Sequence, residues 1–78
     1  MSQLITLGSE LIRINPQNTT HLQYSYNQGR SWLDRYIGST PGRFLDLQIA
    51  GTQIIALTAK GTYYSKDSGR TWLLLKNR

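Results

Sequence analysis

Four carboxylates, one imidazole and nine cationic side chains are the reactive inventory of this 78-residue chain. The acids are Glu10, Asp34, Asp46 and Asp67; the histidine is His21; there is no cysteine. Hydrolysis of a glycosidic bond needs two carboxyl groups, roughly 5 Å apart for retention and about 6.5–9.5 Å apart for inversion. Asp34 and Asp46 fall in different halves of the chain with nothing in their spacing to join them, and Asp67 lies inside a tight Gly-containing loop. His21, Glu10 and Arg13 make a set that a ribonuclease could use, but His21 follows Thr19-Thr20 at the mouth of an apolar run, the setting of a solvated or capping side chain. One histidine and no thiolate leave no metal-ligand spacing, and there is neither a Ser-His-Asp arrangement nor a phosphate-cradling glycine loop. The expectation is a non-enzyme without a cofactor.

Binding chemistry is better represented. Five tyrosines and six arginines stand in a short chain of net charge +5, and Tyr and Arg are the side chains that dominate recognition hot spots. Arg13, Tyr26, Arg35, Tyr36 and Arg43 are the candidate binding residues, expected to line a groove for a glycan or another anionic ligand. Two further readings share these residues: a protein–protein or structural module, and a binder of single-stranded nucleic acid, for which basic charge and exposed aromatics are suited. The competing structural account is that the tyrosines simply fill strand positions, where they are common.

The elements that must carry these residues read as strands. Apolar residues alternate or cluster in short runs, broken every few positions by Gly, Asn, Pro and Ser. Strands are expected at 4–7, 11–14, 22–26, 31–37, 44–50, 53–58, 62–65 and 71–76. In the fifth, Phe44, Asp46 and Gln48 are expected on one face and Leu45, Leu47 and Ile49 on the other. Of the adjacent Tyr63 and Tyr64, at most one can enter a core. No apolar run approaches the eighteen residues of a membrane span, and the first residues lack the features of a signal peptide, so a cytoplasmic location is expected.

The chain repeats itself. SYNQGRSW at 25–32 returns as SKDSGRTW at 65–72, and LITLGSELIRI matches FLDLQIAGTQIIAL with three extra residues assigned to the second copy, while the segment before the third strand is longer in the first copy. The chain is thus one domain, 1–78, of two repeats, 1–40 and 41–78, each with four strands, the period and strand count of a propeller blade. Within each phrase the roles are structural. Gly69 supplies the positive φ that a tight hairpin needs, Asp67 accepts from loop amides, Ser65 adds a further bond, and Trp72 covers the loop base.

The phrase resembles the Asp-box, also called the bacterial neuraminidase repeat, which joins the third and fourth strands of a blade. Ser65, Asp67, Gly69, Thr71 and Trp72 fit every position. Ser25, Gly29, Ser31 and Trp32 also fit, while Asn27 replaces the Asp and removes a charge. The resemblance covers nearly the whole chain and implies blades. The family spans sialidases, other glycosidases, sortilin-like receptors, photosystem assembly factors and small ribonucleases, and its box is a folding element usually remote from the active site. A sialidase site would further require three arginines on a carboxylate and a Tyr–Glu pair.

Two blades leave sheet faces open, and repeat folds generally need three or more units. The expected fold is therefore all-β, two four-stranded antiparallel blade-like repeats, completed into a propeller by self-association. A trimer is favoured, because three chains give the six blades of sialidase-like propellers. The alternative is a monomeric sandwich in which the two sheets cover each other.

Overall fold

Residues 3–38 and 40–76 are described by a computed structural model, and they form eight strands: β1 (Leu4–Leu7), β2 (Glu10–Ile14), β3 (His21–Ser25), β4 (Leu33–Ile37), β5 (Phe44–Ala50), β6 (Gln53–Thr58), β7 (Gly61–Ser65) and β8 (Leu73–Lys76). They make two four-stranded antiparallel meanders, β1-β2-β3-β4 and β5-β6-β7-β8. The fold is all-β, as the alternation of apolar and polar residues requires. No helix long and apolar enough to cross a membrane occurs among the described residues. The fourth and eighth strands start two residues later than the pattern suggests, because Ser31 and Thr71 give their amides to side chains of the preceding loop rather than to a ladder.

The strand registers align the repeats without a gap. Leu11 pairs with Ser25 as Ile54 pairs with Ser65, and Leu4 pairs with Arg13 as Leu47 pairs with Ala56. Residues 4–14 therefore match 47–57 one for one, and the three extra residues assigned to the second copy are not an insertion. The length difference lies before the third strand: residues 15–20 of the first repeat match 58–60 of the second, of which Thr58 still belongs to β6.

One face of the first sheet and the opposite, non-equivalent face of the second meet in a single core. The first sheet contributes Ile5, Ile12, Ile14 and Leu22; the second contributes Phe44, Leu47, Ile54, Ala56, Tyr63 and Trp72. Ile5 and Ile12 are the counterparts of Gln48 and Ile55, which lie on the other side of the second sheet from Leu47, Ile54 and Ala56. A two-fold-related sandwich would bring equivalent faces together; this packing is head to tail.

Bulges decide which side chains reach the core. A register shift between Phe44 and Asp46 puts Phe44 and Leu47 on the buried side and leaves Leu45 exposed, so strict alternation along β5 fails at its start. A second shift, between Leu22 and Gln23, turns consecutive Arg35 and Tyr36 both toward the second sheet. Tyr63 is buried and Tyr64 half-buried, as their adjacency demands.

Candidate functional site

The two repeated loops are built from nearly the same bonds. In the second, Ser65 Oγ accepts from the Gly69 amide at 2.8 Å and donates to Asp67 Oδ1 at 2.8 Å. Asp67 Oδ1 also accepts from the amides of Arg70 and Thr71, at 3.1 and 2.9 Å, and Oδ2 from the Thr71 hydroxyl at 2.6 Å. These donors, the Thr71 hydroxyl foremost, outweigh the cost of desolvation and lower the Asp67 pKa from 3.8 to about 2. In the first loop Asn27 Oδ1 accepts from the Ser31 amide at 3.0 Å, and its Nδ2 donates to Ser31 Oγ at 2.8 Å. The amide thus reproduces the carboxylate's bracing with a neutral donor–acceptor pair.

Each turn holds two consecutive residues at positive φ, Gln28 and Gly29 in the first loop and Ser68 and Gly69 in the second. The sequence points to the glycines alone; Gln28 and Ser68 are held in the left-handed region by the bracing on either side. Trp72 Nε1 donates to the Gly69 carbonyl at 3.0 Å and its ring packs 5.4 Å from Phe44. The counterpart of Phe44 in the first repeat falls outside the described residues. Over Trp32 lies instead the Arg13 guanidinium, 4.0 Å from the ring centroid, with Nε donating to Gln23 Oε1 at 2.9 Å.

The five candidate binding residues do not share a groove. Arg35 has its side chain only 3% exposed; it stacks 4.1 Å above Tyr24, pairs with Glu10 at 3.0 Å and donates to the Ser68 carbonyl at 2.8 Å. Tyr36 is half-buried, edge-on to Phe44. Both clamp the sheets together. Arg13 stands on the opposite, open face of the first sheet. Arg43 is exposed beside the β6–β7 turn, where its carbonyl accepts from the Ala59 amide. Tyr26 alone projects from a repeated loop, 65% exposed.

Both loops lie at one end of the stack. At the other end the Phe44 amide bonds the Thr19 carbonyl across the sheets; at this end Arg35 ties Glu10 to Ser68 of the second loop. This loop end carries Tyr26, Arg30, Lys66 and Arg70, all exposed, on backbones braced from within. Two of its carboxylates are already engaged, Glu10 by Arg35 and Asp67 by its turn. The sequence shows the clue in retrospect, since Tyr26 aligns with Lys66 and Arg30 with Arg70.

A second feature is a hollow of about 380 Å³ on the open face of the second sheet, lined by Asp46, Gln48, Ile55, Leu57, Thr62, Leu75 and Lys76. Glu10, Asp34, Asp46 and Asp67 are distributed over different strands and loops and do not form a catalytic pair that the hydrogen bonding identifies. Compared with protein-family models, curated proteins and solved structures, the chain matches none of them.

Proposed function

We propose that this chain is a non-catalytic binding module of Asp-box repeats whose loop end takes an anionic ligand, an acidic carbohydrate in particular. One observation carries the reading: three exposed cations, Arg30, Lys66 and Arg70, and the exposed ring of Tyr26 share one end of the stack on braced loops. On a braced backbone only the side chains of these cations must be ordered on binding, and the loops themselves add no further entropic cost. The aromatic ring offers an apolar face to a sugar, and the resemblance to Asp-box repeats points toward carbohydrates. The structural use of Glu10, Arg35 and Asp67 supports the non-catalytic part.

The test is retention on an immobilised sulfated glycan, with a sialylated one and a neutral one beside it. The wild-type chain is expected to bind the anionic matrices, to elute as salt rises, and to ignore the neutral one. Replacing Arg30, Lys66 and Arg70 together by Ala is expected to weaken binding about tenfold or more, since each surface cation contributes on the order of 0.5–1 kcal/mol. Unchanged retention of that variant would refute the assignment of the loop end.

A further inference from the structure

We infer that the open face of the second sheet is the docking site for the first sheet of another copy of this chain, in a head-to-tail contact that repeats. The reasoning uses the interface inside the chain as its template and does not depend on the loop-end ligand. The first sheet buries the side that carries Ile5, Ile12, Ile14 and Leu22; the second buries the side that carries Leu47, Ile54, Ala56 and Tyr63. The registers give each of these a counterpart on the other sheet, and every counterpart lies on a face still open.

The counterparts of Ile5, Ile12, Ile14 and Leu22 are Gln48, Ile55, Leu57 and Thr62, which line the hollow together with Leu75 and Lys76, themselves the counterparts of Arg35 and Tyr36. The counterparts of Leu47, Ile54, Ala56 and Tyr63 are Leu4, Leu11, Arg13 and Gln23, on the open face of the first sheet with Trp32. Leu57 is 45% and Leu75 53% exposed, and Leu4 is 44% exposed; as apolar side chains facing water they gain by cover. Because the two faces that meet inside the chain are different, both kinds of face remain over, one of each per chain. That is the condition for a heterologous contact, which closes into a ring when the rotation fits. Repetition of the internal packing sets the face of one copy that carries Arg13 and Trp32 against the face of the next that carries Ile55 and Leu57. Closure at three copies gives six sheets.

The experiment is light scattering on a sizing column over a dilution series, with two single variants. Leu57→Arg sets a cation on the face of the second sheet, which would then meet the face that carries Arg13, and so disables it. Leu4→Asp disables the face of the first. Both positions are exposed, so far-ultraviolet circular dichroism is expected to stay that of the wild type. Expected are a wild-type mass about three times that of the 8.9 kDa chain, monomers for each variant alone, and a one-to-one heterodimer when the variants are mixed. The mixture forms because each variant keeps the face the other has lost. A monomeric wild type across the series overturns the inference. So does a self-associating single variant, which would mean that like faces pair, and so does a mixture that stays monomeric. A folded monomer that still binds the sulfated glycan would sink the assembly and leave the loop-end reading standing.

Discussion

Asp67 and Asn27 occupy the same place in two loops of the same shape, and the difference between them is one charge. The carboxylate holds four hydrogen-bond donors on Oδ1 and Oδ2 within its own turn, which is why it stays ionised to about pH 2. A folded-state pKa below the ordinary 3.8 means that Asp67 stabilises the fold above that value and stops doing so as pH falls through about 2. Asp67→Asn converts the second loop to the chemistry of the first. It is expected to cost roughly 0.5–1 kcal/mol at pH 7, because neutral hydrogen bonds replace charge-assisted ones in a turn open to water. Between pH 4 and 2 the gap between wild type and variant is expected to close, measured by urea unfolding at each pH. A constant gap would mean that the charge contributes nothing. This part of the molecule was legible in the sequence: Ser, Asp, Gly and Trp at fixed offsets state the turn. The second positive-φ residue was not legible, since Gln and Ser carry no preference for that conformation.

Sheets are joined here by a polar clamp as well as by an apolar core. Arg35 crosses from β4 to the second loop and carries its charge almost out of water, with Glu10, the Ser68 carbonyl and the Tyr24 ring as its surroundings. Removing one member of such a pair leaves the other charge without compensation, whereas removing both is often nearly neutral. Glu10→Gln is therefore expected to cost about 2 kcal/mol, below the fully buried range because Glu10 retains some contact with solvent. The double variant Glu10→Gln, Arg35→Met is expected to cost under about 1 kcal/mol by the same unfolding measurement. An additive loss would show that the two do not act as a pair. The sequence marked Arg35 and Tyr36 as ligand contacts because Tyr and Arg dominate recognition hot spots. A bulge, invisible to a period of two, turned both inward. Another bulge explains why Phe44 and not Leu45 is core.

The whole molecule is two sheets that each offer an unlike face to the outside. The duplication was legible, but which faces meet was not, because Leu4 and Leu47, or Ile12 and Ile55, are of similar type and only packing tells them apart. In the proposed ring the junctions between chains are more polar than the one within the chain, with Gln48, Thr62, Arg13 and Gln23 where the inner junction has Ile5, Leu22, Ala56 and Tyr63. The midpoint of thermal unfolding is accordingly expected to rise with protein concentration, as it must when association stabilises the folded form. A midpoint independent of concentration over a hundredfold range would count against assembly. Three copies would also gather the cations of six loops on one rim, where a polyanion can engage several at once.

The unequal second-to-third-strand linkers have a further consequence. Residues 15–20 carry the Thr19 carbonyl that takes the Phe44 amide of the next sheet at 2.8 Å, and the matching segment, 58–60, is three residues shorter. In the proposed ring the sheets would therefore meet at two kinds of seam in alternation, and the Thr19–Phe44 main-chain bond belongs to the seam within each chain. A ring of six such sheets would have three-fold symmetry by construction, and it would come apart, and exchange partners, only at every second seam.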